Sequence, residues 1–357
     1  MTIYFILLVL LILVGFFYLY SCLKKYPTPF IEHFDNNYLS TLKQHKTEGG
    51  HFPFRYLCDE YQNILPIVLI AAFFRNDKER NMYNEYVQNG LGIVGITAYK
   101  SFPKPITDKS GDSETKNDPF DYYGQIQNWL CCFKEPVDFG FNVWHRLANI
   151  SESDFYDAEL TKTPDSSKKY DFVYVCLKDD DTTCPMDGWN AINRNFNLAL
   201  KCFPIMMNEM NLKVLVIGRI NCGLQQLYGE KITIMDFLPF SEFQDVLRQC
   251  RFLFVPNIYD ASPRVISEAI IKGIPVLMNR SIVCGSKYIT DQTGELFTDE
   301  HDIRFSIEKL LAKKDRINPQ EWWSKNYSKQ KSGINLRNTL YQWYPDYLQN
   351  VKEVYFY

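Results

Sequence analysis

Short apolar runs alternate with amphipathic stretches along most of this chain. From Tyr170 onward the alternation is regular. Apolar runs at Phe172–Cys176, Val214–Ile217, Ile232–Met235, Phe252–Val255 and Pro275–Leu277 have the length and branching of buried strands. The segments between them at Asn190–Met207, Ser241–Cys250 and Pro263–Lys272 carry helical polarity, and Ser241 with Gln244 supplies a capping box. Strands that alternate with helices in this way predict a parallel, doubly wound α/β sheet. A first α/β region precedes it, with strands at Ile64–Phe73, Ile93–Ala98 and Trp129–Phe133 and a helix at Asp77–Asn89. Residues 101–118 read as a long exposed loop and 160–169 as an inter-domain linker. The expected organisation is a segment over 1–23, a stalk over 24–50, domains over 51–160 and 170–315, and an aromatic-rich tail over 316–357.

Ile3 to Tyr20 is an unbroken apolar run without charge. Eighteen helical residues would span about 27 Å, close to the hydrocarbon thickness of a bilayer. A cleaved signal peptide would need a basic start and a small-residue cleavage site, and neither stands out. The run therefore predicts a single-pass transmembrane anchor. Lys24, Lys25, Lys43 and Lys46 follow it, which by the positive-inside rule places the folded part in the cytoplasm.

The 357 residues are 46% hydrophobic and 16% aromatic, enough for two packed cores. A formal charge of −3 excludes a general nucleic-acid binder, because no strong positive field gathers phosphate backbone. Ten cysteines are scattered without CxxC or Cys/His spacing, so neither a zinc site nor a disulfide framework is expected. Three Asn-x-Ser sequons, at Asn149, Asn279 and Asn326, read as chance matches. Gly90, Gly92 and Gly95 satisfy GxGxxG. They follow a helix and run into a strand, the reverse of a dinucleotide fingerprint.

The chemistry concentrates at Asp260-Ala-Ser-Pro-Arg-Val-Ile-Ser-Glu268, which follows the strand Phe252–Val255. Ser262 suits an N-cap, Pro263 the first helical position and Gly273 the residue past the last turn. A helix N-terminus at the end of a parallel strand attracts anions through its free N–H groups and macrodipole. Arg264, a cation near that positive end, is explained by an anionic ligand. Glu268 lies about 9 Å along the axis from Ser262, where a carboxylate can hold ribose hydroxyls while a diphosphate rests on the tip.

This segment resembles the donor-site signature of retaining GT-B glycosyltransferases, family 4 (glycosyl transferases group 1) in particular. Asn211–Arg219, Ile232–Pro239 with Ser241–Leu247, Cys284–Tyr288 and Thr293–Phe297 line up with the family in order. The Asp-Ala-Ser-Pro-Arg variant is similar to proteins encoded by large DNA viruses. The resemblance covers about residues 170 to 300. It implies two Rossmann-like domains facing a cleft, with tail helices that cross back to the first. The implied activity is transfer of a sugar from a UDP- or GDP-sugar to a glycan, lipid-linked or protein acceptor, retaining and without metal or cofactor. Asp260 would orient the donor sugar and Glu268 would hold the ribose. Arg264, Lys178, Arg194 and Arg219 would neutralise the diphosphate. Phe237 and Leu238 would border the base, and Ala261, Ser262 and Pro263 would form the anion-binding turn. His145 takes the place of a family histidine near the sugar.

Two other readings have sequence support. Asp179 and Asp181 form an Asp-x-Asp of the kind metal-dependent GT-A enzymes use to hold a divalent cation. The family Glu is Asp at position 260, and no Gly-rich turn is visible near Ala71–Arg75. Both departures fit a catalytically silent GT-B fold that acts in binding or structure.

Overall fold

The computed structural model describes residues 34, 38–47, 52–97, 99–111, 118–158, 168–260, 264–313 and 316–357. The apolar run at 3–20 and most of the expected linker lie outside these residues. Among the described residues no helix is long and apolar enough to cross a membrane.

Twelve strands among the described residues form two six-stranded sheets. The first five are β1 (Phe54–Asp59), β2 (Ile64–Ile70), β3 (Gly92–Ile96), β4 (Asn128–Leu130) and β5 (Arg146–Ala148). The next six are β6 (Tyr170–Cys176), β7 (Val214–Gly218), β8 (Ile232–Met235), β9 (Cys250–Val255), β10 (Val276–Asn279) and β11 (Gly294–Phe297). The last, β12 (Val354–Phe356), returns to the first sheet and pairs antiparallel with β1, giving the order β12-β1-β2-β3-β4-β5. The second sheet runs β11-β10-β9-β6-β7-β8, parallel throughout. Counted within its domain this is 3-2-1-4-5-6, the doubly wound order, with its switch point between β6 and β9.

Burial explains why the strands sit where they do. Every residue of β2 and β7 is buried, as a strand covered by layers on both faces requires. On one face of the second sheet Phe172, Tyr174 and Phe254 pack with Phe196, Phe203 and Ile307. On the other, Val173, Leu253 and Val255 pack with Ile266, Ile270 and Trp323. Gly273 adopts φ +77° just past the 264–271 helix, whose end is closed by Gly273 N–H to Ile270 O (3.0 Å) and Ile274 N–H to Ala269 O (2.9 Å).

Several local expectations change. The helix expected over 190–207 divides into Trp189–Asn193 and Phe196–Phe203, the latter continuing as a π-helix over Pro204–Glu209, because Asn195 between them is left-handed (φ +49°). The Ser241/Gln244 capping box does not form. Phe240–Leu247 starts after Pro239 without a side-chain cap, and the Gln244 amide is buried with neither its oxygen nor its nitrogen hydrogen-bonded. Part of the expected stalk, Tyr38–Thr47, is a helix on the first domain, with Leu42 buried and Tyr38 Oη donating to Glu85 Oε1 at 2.6 Å. A disulfide joins Cys184 to Cys222, against the expectation of none. The two follow β6 and β7, neighbours in the sheet, so topology rather than sequence spacing brings them together.

The domains are tied by a buried junction. Asp154 accepts from Lys287 Nζ (2.8 Å), Tyr288 Oη (2.5 Å) and Ser151 N (2.9 Å). Phe133 and Cys284 form an antiparallel bridge between the domains. The tail crosses the same junction. Trp323 packs in the second core, while Leu336 and Leu340 of the helix Lys329–Trp343 cover the first sheet.

Candidate active site

A cleft of about 560 Å³ opens between the domains, outside the C-terminal ends of β6 and β9. Parallel sheets leave a crevice there because the helices after the two strands depart to opposite faces. The second domain lines it with Leu177, Arg194, Phe237, Leu238, Asn257, Tyr259, Asp260, Arg264 and Glu268. The first lines it with Arg55, Thr97, Lys100, Ser110 and Glu152.

Arg194 ends the helix Trp189–Asn193, and its guanidinium pairs with Asp260, which follows β9. Asn257 Nδ2 donates to the same Asp260 oxygen at 3.2 Å. This pair spans the switch point and ties together the loops after β6 and β9. Glu268 is 9% exposed, and burial raises its pKa above the ordinary 4.5, opposed by the charge of Arg264. Among the described residues no donor bonds its carboxylate, and no carboxylate pairs with Arg264. The two stand one turn apart on the helix Arg264–Ile271, each facing the cleft. Phe237 and Phe240 are 67% and 59% exposed and give the adjoining wall an apolar surface.

Other residues singled out in the sequence have different surroundings. Arg219 is 1% exposed and does not line the cleft. Its Nη2 lies 2.6 Å from Asp179 Oδ2 and its Nε bonds Cys176 Sγ at 3.1 Å. Asp179 also accepts from the N–H groups of Asn190 (2.6 Å) and Ala191 (3.0 Å), so it caps the helix Trp189–Asn193. A Cβ on Gly188 would lie 2.4 Å from that carboxylate, which explains the glycine there. The Asp-x-Asp is therefore split: Asp179 is held in the protein, while Asp181 is exposed and pairs with Lys178 at 3.0 Å. Lys178 also meets Asp236 at 3.2 Å and stays outside the cleft lining. His145 belongs to a turn of the first domain, where Nδ1 accepts from Asn142 N (3.1 Å), Nε2 bonds Tyr123 O (3.2 Å) and burial lowers its pKa. It too lies outside the lining. Ala261, Ser262 and Pro263 lie outside the described residues.

Sequence reading passed over the first-domain wall. Arg55 sits in β1 and pairs with Glu152. Lys100 Nζ donates to Ser110 Oγ (2.9 Å) and lies 3.2 Å from the ring centroid of Tyr259 across the cleft, with its pKa lowered by burial. No motif marks these positions; only the pairing of the sheets collects them.

No family model matches the chain, and no curated protein matches it. Solved structures do. Sucrose-phosphate synthase from Thermosynechococcus elongatus superposes with TM-score 0.54 at 12% identity, covering 78% of this chain and 74% of that one. The lipopolysaccharide outer core galactosyltransferase WaaB, in its apo form, gives TM-score 0.50 at 10% identity over 77% and 75%. The fold is GT-B. The GtfA/B complex gives 0.51 at 10% identity over 76% and 55%. Against TarM the chain spans only about half of that protein's length. A two-domain GT-B architecture, with sheets facing across a cleft, is not the GT-A arrangement that the Asp-x-Asp suggested.

Proposed function

We propose that this chain transfers a sugar from a nucleotide-diphosphate donor, with the nucleotide in the crevice of the second domain. The observation that carries the reading is the Arg264/Glu268 couple. Among the described residues, a buried carboxylate without a hydrogen-bond donor and an exposed guanidinium without a carboxylate partner line one cleft from one helix. Ribose hydroxyls are donors and a diphosphate is an anion, so a nucleoside diphosphate answers both needs at once. Phe237, Leu238 and Phe240 offer the base an apolar wall. Asp260, held by Arg194 and Asn257, would orient the sugar. Arg264 would stabilise charge developing on the leaving diphosphate, an electrostatic role like that of an oxyanion hole. Retention and independence from metal are part of this proposal and rest on the resemblance to family 4.

A thermal-shift screen of UDP, GDP and their sugars tests the reading, since ligands of the folded state raise its melting temperature. A shift with one base series, followed by chelator-insensitive release of that diphosphate from its sugar, is the expected result. No shift with any nucleotide would overturn it. The Arg194–Asp260 ion pair favours a second reading, a binding protein without turnover, because it already engages the carboxylate meant for the sugar. Nucleotide binding with no hydrolysis or transfer would select that alternative.

The proposal includes a single-pass anchor at 3–20 with the folded part cytoplasmic. Two signals oppose each other here. The lysines that follow the run favour the cytoplasm, whereas a Cys184–Cys222 bond is unusual in that reducing compartment. Protease protection in sealed vesicles separates them; a protected catalytic part would overturn the cytoplasmic assignment.

A further inference from the structure

Like charges facing each other across a cleft need an explanation. Arg55 comes from β1 of the first domain and Arg264 from the helix after β9 of the second, and both line the same cavity. Burial and the charge of Arg264 together lower the Arg55 pKa, so the two guanidinium groups feel each other across the gap. Arg264 has no carboxylate partner among the described residues. Arg55 has Glu152, a half-buried pair with side chains 40% and 28% exposed, and both residues lie in the cavity wall. Ion pairs that water still reaches are screened and exchange more readily than fully buried ones. Arg55 is therefore held near the cleft by a partner that a stronger anion can displace.

We propose that Arg55 and Arg264 form a cross-domain clamp for the donor diphosphate, so that the phosphates are gripped from both walls. This rests on the nucleotide-donor reading above and extends it to the acceptor-side domain. The diphosphate would take hydrogen bonds from Arg264 on its own wall and from Arg55 opposite, displacing Glu152 from Arg55. Neutralising two facing cations would also bring the domains together. Once the sugar has left, the diphosphate would hold the cleft shut until it is released.

Calorimetry with UDP, uridine and inorganic pyrophosphate, on the whole chain, tests the clamp. Arg55→Ala and Arg264→Ala should each weaken UDP by about tenfold or more and leave uridine unchanged. Arg55→Lys should recover part of the loss. Glu152→Gln should tighten UDP, because it frees Arg55 while keeping the side-chain shape. That variant also keeps the test decisive should Arg55→Ala fail to fold. Unaltered UDP and pyrophosphate affinity in Arg55→Ala, or weaker UDP binding in Glu152→Gln, would overturn the clamp and leave the nucleotide reading intact. The opposite pattern is distinguishable. Wild-type protein that binds pyrophosphate through Arg55 but neither UDP nor GDP would support the anion site and sink the nucleotide reading.

Discussion

The sheet of the second domain is parallel throughout, and each cleft residue on it sits at or just beyond the C-terminal end of a strand or on the helix that follows. The sheet across the cleft is mixed: β1 runs antiparallel to both its neighbours, β2 and the edge strand β12. Its contributions, Arg55, Lys100 and Glu152, come from an edge-side strand, a loop and a short turn. A doubly wound sheet collects functional residues by rule, because every strand points the same way toward the crevice. A mixed sheet collects them only through its particular pairing. One wall of the cleft is therefore organised by topology and the other by individual contacts.

Breaking the donor wall from beneath should have the largest effect. Arg219→Ala leaves the buried Asp179 carboxylate without its cation and should cost about 3–5 kcal/mol of stability, read by denaturant unfolding. An unchanged midpoint would mean that the pair does not support the loops after β6 and β7. Gln244→Leu works in the other direction. Removing a buried amide that bonds nothing among the described residues should raise stability by about 1–3 kcal/mol in the same assay; a loss would reveal a partner for Gln244.

The Glu268 carboxyl gives the wall a pH signature. Its pKa is raised in the free protein, and ribose hydroxyls donating to the ionised form would lower it again on binding. The bound state then holds fewer protons, so nucleotide affinity should rise with pH through the raised pKa, by at most about tenfold per pH unit. The same raised pKa makes the folded state the better proton binder. Stability should therefore fall as pH rises from 4.5 through the folded value, and Glu268→Gln should remove that fall. A flat affinity profile would place no titrating carboxylate at the nucleotide. Lys178→Ala should do least. Its ion pairs are at the surface outside the cleft, so no measurable change in the denaturation midpoint or in nucleotide affinity is expected.

Much of the donor wall was legible in the sequence because its signals are local. Apolar runs place β6 to β10 within a few residues, and the expected strand at Ile232–Met235 coincides with β8. Asp260, Arg264 and Glu268 come to one cleft because β9 and the helix Arg264–Ile271 lie close together in the chain. What escaped depends on distance. Lys178 and Arg219 have the right charge at the right strand ends, but Asp181, Asp236 and Asp179 occupy them, and no spacing announces those partners. The expected strands do not include β1, β5, β11 and β12. All but β1 are three or four residues long, and β1 and β12 pair across almost the whole chain. His145 stood out as a histidine in an apolar stretch, and the turn that satisfies both its nitrogens is a local structural use of that setting.

The central claim is that Glu268 holds the ribose of a nucleoside diphosphate at the β6/β9 switch point. Its most direct test is calorimetric titration of UDP and 2′,3′-dideoxy-UDP into wild-type protein and Glu268→Ala, with GDP and its dideoxy form run in parallel. The wild type should prefer the hydroxylated nucleotide of one base by at least about tenfold, and this preference should disappear in Glu268→Ala while the fold is kept. A preference that survives the substitution undiminished would contradict it.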